Sequence, residues 1–268
     1  MSNGNVAWYT RCPVPTAFSI ALNLGWIDEA LADEGFDFRS LATAVDPEVR
    51  RSHFTQQARN LFRHGGNIPV LASRARGADV RVIGVSWTTF YEPVLVRPES
   101  DLRMVDDLRG RRLGIPRRTD CETDFWRPTV LRGFAQALAV ANLTLDDVEL
   151  VDVPVNRSFL AGARLAPGMR APLWDAMYMI GQQREEALAL LDGRVDAIFS
   201  HALLAVNVQG FTGARTLIDV GALPNAASRV NNGTPQVLTV TGDLLDARPD
   251  IVARVLGEVI RASQWAAR

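Results

Sequence analysis

The chain has 268 residues, 47% of them hydrophobic and 22% charged, with a formal net charge of −1. That balance suits a globular protein with ample core, as one large domain or two smaller ones, and excludes general electrostatic affinity for nucleic acid or an anionic membrane. No apolar run approaches the roughly 20 residues that span a bilayer, and Met1-Ser2-Asn3-Gly4-Asn5 has neither the basic stretch nor the apolar core of an export signal. A cytoplasmic chain is therefore expected, with Cys12 and Cys121 reduced rather than paired. Two cysteines and three histidines in no ligand spacing predict no metal site.

Val6-Ala7-Trp8-Tyr9 is apolar and aromatic and reads as a short buried strand, which Pro13 and Pro15 stop. From Thr16 onward, Phe18, Leu22, Ile27, Ala30 and Leu31 share a helical face, with a break at Gly25. Residues 37–41 read as a second strand. Pro47 through Phe62 reads as one helix, with Pro47 in the first turn and Gly65-Gly66 as the stop. A short helix over 68–76 follows. Then come a buried strand over 79–87, carrying Val80, Val82, Ile83 and Val85, and another over 93–96.

Val105 through Ile115 contains a short helix with an acidic start, a glycine stop at Gly110 and an apolar strand, and a domain crossover is placed there. Residues 123–143 read as mostly helical and 146–153 as leading into a strand. Pro154–Pro172, rich in Pro, Gly and Arg, reads as a long loop of the kind that often serves function. A helix over 173–191, a strand over 195–199, a helix over 201–208, strands over 215–220 and 236–241 and a helix from Pro249 complete the chain. Alternating strands and helices predict an α/β protein of two lobes with mixed, mainly parallel sheets and a ligand cleft between them. Lobe 1 is expected over 1–104 plus 205–268, and lobe 2 over 105–204.

Cys12 stands at the corner between the first strand and the first helix. A thiol before a helix N-terminus meets unsatisfied amides and the positive end of the dipole, which favours thiolate; the alternative is a small buried hydrophobe. His53 and Arg63 are ten residues apart, about 1000° of helical turn, and so within about 80° of one face. Arg63 followed by Gly65-Gly66 suits an anion, through guanidinium donors and backbone amides that no side chain shields; the alternative is a solvated helix end. His64 would point elsewhere and reads as surface. His201 follows a strand end, where cleft-lining residues lie in open α/β sheets. Trp126 either walls a cleft against an aromatic ligand or packs in the core. Asp120 and Glu122 beside Cys121 disfavour its thiolate. No nucleotide-binding or serine-hydrolase motif is present.

Cys12-Pro13-Val14-Pro15 after an aromatic strand, and His53-Phe54-Thr55 followed by Arg63, Gly65-Gly66 and Ile68-Pro69, resemble the aryl-sulfinate desulfinases of biodesulfurisation. The same order continues through Asp107-Leu108, Gly110-Arg111-Arg112, Trp126-Arg127, residues 146–151, Val195-Asp196-Ala197 and Gly213-Ala214-Arg215. The resemblance implies the type II periplasmic-binding-protein fold, a small aromatic sulfinate as substrate, no cofactor, and Cys12, His53, Arg63 and the Gly66 amide as site groups. The family continues for a substantial segment beyond the position of Arg268, and residues 117–125 are shorter and more polar here.

Hydrolytic C–S cleavage releasing sulfite is therefore expected. Arg63 and the Gly66 amide would hold the sulfinate, and Cys12 would act as nucleophile or as proton donor to the ring carbon. His53 is expected to titrate near neutral pH and to tune the thiol or hold an oxygen. No nucleic acid or membrane partner is expected, and a monomer is the simplest state. Two rivals share the fold: a non-catalytic binding protein for a sulfonate, nitrate or similar anion, and an enzyme of pyrimidine-precursor synthesis, whose dense cysteine cluster is missing here.

Overall fold

The computed structural model describes residues 6–12, 14–156 and 183–268, which fall into two compact units. The first takes the residues up to Trp87 and from Pro235 onward; the second takes the described residues from Thr88 to Thr234. The expected loop over 154–172 and the first part of the expected 173–191 helix lie largely outside the described residues.

The first unit is a five-stranded sheet in the order β2 (Asp37–Ser40), β1 (Val6–Arg11), β3 (Leu61–Gly65), β10 (Gln236–Thr241) and β4 (Val80–Ser86). β1 runs parallel to β2 and β3, while β10 inserts antiparallel between β3 and β4. Tyr9, Phe62, Leu238 and Val240 point to one face. There they meet Phe18 and Leu22 of α1 (Ala17–Asn23), Ile27 of α2 (Trp26–Leu31), Leu244 of α8 (Gly242–Ala247) and Ile251 and Val255 of α9 (Pro249–Ala266). Thr16 caps α1 by accepting from the Ser19 amide, and Gly25 at φ 77° separates α1 from α2 as its sequence position predicts. Burial of such side chains contributes roughly 1.5–3 kcal/mol each, so this face carries the stability of the unit. On the opposite face a smaller apolar group, Val70 of α4 (Asn67–Ala75) with Val80 and Val237, packs beside the polar residues.

The predicted helix over 47–62 is two elements. α3 (Pro47–Thr55) ends at Gln56, and the chain re-enters the sheet as β3. Gln56 and Asn60 both take left-handed backbone at φ 53°, a conformation asparagine accepts at low cost. Ser52 Oγ accepts from the Ala58 amide at 2.9 Å, and Asn60 Nδ2 donates to the Val6 carbonyl at 3.2 Å, which fixes the turn. β3 is buried along its whole length, between two other strands. β4 differs as well. It is an edge strand, and Val82 and Val85 are exposed rather than buried.

The second unit has a sheet in the order β7 (Glu149–Pro154), β6 (Arg112–Arg117), β8 (Ala197–Phe199), β5 (Pro93–Val96) and β9 (Arg215–Asp219). β6 is parallel to β7 and β8, while β5 is antiparallel to β8 and β9. Both sheets are therefore mixed as expected, but not mainly parallel: each has two parallel and two antiparallel pairings, because β10 and β5 enter antiparallel. Because β5 and β9 pair here, the chain enters this unit at Thr88 and leaves it at Thr234, where the sequence puts the crossings near 104 and 205. α5 (Trp126–Ala139), α6 (Arg184–Leu191) and α7 (Ala202–Thr212) belong to this unit. Gly133 on α5 lets the Phe199 ring lie against the helix backbone, for a Cβ there would overlap that ring. Gly133→Ala should lower the urea midpoint, with a loss on the order of 1–3 kcal/mol despite alanine's better helix propensity. An unchanged or raised midpoint would contradict this packing. Among the described residues no helix is long and apolar enough to cross a membrane.

Candidate active site

Side chains alternate along strands, so Thr10 and Cys12 on the β1 side share a face with Arg63 and Gly65 of β3. Thr10 pairs with Arg63 in register, and the Cys12 amide continues the ladder by donating to the His64 carbonyl at 3.0 Å. Gly65 leaves a gap beside Cys12. A Cβ there would overlap Cys12 Sγ, lie 3.3 Å from Cys12 Cβ and lie 3.4 Å from Arg63 Nη2. The sulfur and the guanidinium thus border one small space at the carboxyl ends of two parallel strands, where open α/β sheets hold ligands. Cys12 itself is partly exposed and free.

Arg63 is only 1% exposed. Its Nε donates to the His53 carbonyl at 2.9 Å and its Nη1 to the Gly66 carbonyl at 3.0 Å. Among the described residues no carboxylate pairs with it, and Nη2 has no protein acceptor. Burial pushes the guanidinium below its ordinary value, and a charged Cys12 pushes back. A buried cation with no carboxylate is costly unless an anion accompanies it. The groups here that can meet that need are the Cys12 sulfur and an anionic ligand. Arg63 thus occupies a central strand, rather than the end of the helix that carries His53.

His53, near the end of α3, places Nδ1 2.7 Å from Thr10 Oγ1. With Nδ1 engaged, the ring has Nε2 left to offer. Burial first, and Arg63 second, push His53 down to about 3. The imidazole is therefore neutral at neutral pH and does not titrate there, contrary to expectation. Thr10 is missing from the sequence reading, although its place two residues before Cys12 on a strand signals the shared face.

His64 is not on the surface. It is 1% exposed and points to the α1 face, with Nδ1 3.3 Å from Thr16 Oγ1 and Nε2 3.4 Å from Ser86 Oγ. Burial, Arg63 and Arg11 push it down to about 4. The unfolded chain therefore takes up His64's proton near pH 6.5 while the folded chain resists until about 4. Its contribution is fully present above pH 6.5 and is lost as pH falls through that window. The stability advantage of wild type over His64→Phe should shrink by on the order of 2–3 kcal/mol between pH 7 and pH 4 in urea titrations. A pH-independent difference would contradict a neutral buried imidazole.

Trp126 and His201 meet within the second unit, their ring centroids 6.5 Å apart. Trp126 Nε1 donates to Glu186 Oε1 at 3.0 Å, His201 Nδ1 lies 3.0 Å from Glu92 Oε1, and the His201 and Phe90 rings meet tilted at 54° with centroids 4.6 Å apart. Burial pushes Glu186 up to about 7. Neither glutamate stands out in the sequence, since a lone charged residue carries no periodic signal. Burial, with Asp124, pushes the Cys121 thiol up, as its acidic setting suggests. No group of three or more metal-ligating side chains occurs among the described residues.

No protein-family model matches the chain. It is 29% identical to 2′-hydroxybiphenyl-2-sulfinate desulfinases of Rhodococcus erythropolis and Rhodococcus qingshengii, over 96% of this chain and 71% of theirs. The crystal structure of the desulfurization enzyme DSZB superposes with a TM-score of 0.70 at 26% identity, covering 98% of this chain and 76% of that one. A cysteine-to-serine mutant of DSZB in complex with biphenyl-2-sulfinic acid gives 0.69 at 27%, with the same coverage. The sulfonate-binding protein SsuA from Methylobacillus flagellatus shares the fold alone, with a TM-score of 0.64 at 17% identity over 100% of this chain and 71% of that one. The chain is thus a relative of the 2′-hydroxybiphenyl-2-sulfinate desulfinases, built on the fold of the periplasmic sulfonate-binding proteins.

Proposed function

We propose that this chain is an aryl-sulfinate desulfinase that cleaves the C–S bond hydrolytically, without a cofactor, releasing sulfite and the desulfinated aromatic. The observation that carries the reading is Arg63, a buried cation with no carboxylate, sharing the Gly65 gap with the Cys12 sulfur. A sulfinate supplies the anion Arg63 lacks and brings its sulfur to the thiol. Support also comes from the relative whose cysteine-to-serine mutant was crystallised with biphenyl-2-sulfinic acid.

In this reading Nη2 of Arg63 and the Gly66 amide hold the sulfinate oxygens by charge-assisted hydrogen bonds. Cys12 either attacks sulfur as thiolate or delivers a proton to the ring carbon as sulfite leaves. Neutral His53, its Nδ1 tied to Thr10, offers Nε2 as a hydrogen-bonding group rather than a positive charge. Two free thiols fit a reducing, cytoplasmic setting.

The test is to incubate purified protein with a panel of aryl sulfinates and measure sulfite and desulfinated aromatic. Equimolar release of both is expected from at least one member. Sulfinate that binds but is recovered unchanged would replace this reading with that of an anion-binding protein.

A further inference from the structure

We infer that Cys12 is a peroxide-sensitive modification site, where oxidation to the cysteine sulfinic acid builds the anion that Arg63 lacks and closes the site against substrate. The site is more than a thiol. Arg63 is 1% exposed, has no carboxylate partner among the described residues, and keeps Nη2 without a protein acceptor. Nη2 and Cys12 Sγ border the same gap at Gly65, and Cys12 is partly exposed, so a small oxidant can reach it.

Oxidation at sulfur follows thiolate character and access. The Cys12 thiolate attacks one oxygen of hydrogen peroxide; the O–O bond breaks, an S–O bond forms, and sulfenic acid and hydroxide result. The sulfenate, having lost its proton to that hydroxide, attacks a second peroxide in the same way, giving sulfinate and water. Sulfur loses two electrons at each step and each peroxide is reduced to the level of water. Cys121 is the poorer target for oxidation, since burial and Asp124 push its thiol up.

The two oxygens on sulfur carry a negative charge toward Nη2, and charge-assisted hydrogen bonds from guanidinium to such oxygens are about twice as strong as neutral ones. The second oxidation step is therefore favoured at Cys12, and the product resists displacement. The resulting group is chemically the head of the proposed substrate. That likeness to the substrate rests on the desulfinase reading; the oxidation itself rests only on the Cys12–Arg63 geometry.

The test is stepwise hydrogen peroxide treatment of the wild-type protein, followed by peptide mass spectrometry of both cysteines. Cys12 should gain two oxygens at a peroxide dose at least tenfold below that needed for Cys121, and benzenesulfinate should raise the dose required. Arg63→Lys should leave more Cys12 at one oxygen. Cys12 oxidised no more readily than Cys121, or stopping at one oxygen in wild type, would overturn the proposal even if Arg63→Lys proves unstable. Sulfite release is assayed separately on untreated protein. Two oxygens on Cys12 after peroxide, with no turnover by untreated protein, would sink the desulfinase reading alone, and turnover by untreated protein with Cys12 still unoxidised after peroxide would sink this one alone.

Discussion

Cys12→Ser is expected to cut sulfite release by about a thousandfold or more, while sulfinate affinity stays within about threefold of wild type. The two parts of the expectation have different causes. Affinity comes from Arg63, whose position is set by β3 and by its bonds to the His53 and Gly66 carbonyls, none of which involve the sulfur. Serine keeps the Cys12 backbone bond to the His64 carbonyl and fits the same gap. What it cannot supply is a sulfur nucleophile or a thiol proton, and the two chemical routes require one or the other. Retained turnover would remove Cys12 from the reaction. Lost binding would mean the sulfur, rather than the guanidinium, holds the anion.

Gly65→Ala is expected to lower kcat about a hundredfold, with only a small loss of stability. Gly65 has ordinary extended backbone, so alanine brings no strain of its own. The new methyl group instead lands on Cys12 Sγ and beside Arg63 Nη2, and one of the two must move. Misplacing a reacting atom by about 1 Å is enough for a loss of that size. Gly84→Ala in the same sheet is the control. A Cβ there meets Leu238 and Leu256 at ordinary contact distances of 3.7 and 3.8 Å, so activity should be unchanged. Equal effects of the two substitutions would show that the sheet, and not the gap, is being disturbed.

The elements were legible in the sequence wherever one physical signal dominated. Gly25 breaks the first helix because only glycine takes its left-handed backbone freely, and Val237, Leu238 and Val240 mark β10 as a buried strand. The segment 47–65 misled because its apolar residues fit a helical period, while the turn at 56–60 is made by Gln56 and Asn60 in left-handed conformation without a glycine or proline. Arg63 and His53 were still brought together, though across a strand and a helix. His64 read as surface because burial of a histidine on a central strand depends on partners 48 and 22 residues away, Thr16 and Ser86. His53 was expected to titrate near neutral pH for the same reason: burial and a neighbouring guanidinium are properties of the fold, not of local sequence. The resemblance to the desulfinases rested on short motifs whose spacing a misplaced helix boundary leaves intact.

The central claim is that Arg63 provides the anion site beside Cys12. Arg63→Met, in a Cys12→Ser background so that nothing turns over, keeps side-chain volume and removes the charge. Calorimetric titration with an aryl sulfinate should then show affinity at least thirtyfold weaker than Cys12→Ser alone, equivalent to about 2 kcal/mol for a buried charge-assisted contact, in a protein whose melting curve remains cooperative. Undiminished affinity in that folded double variant would contradict the account.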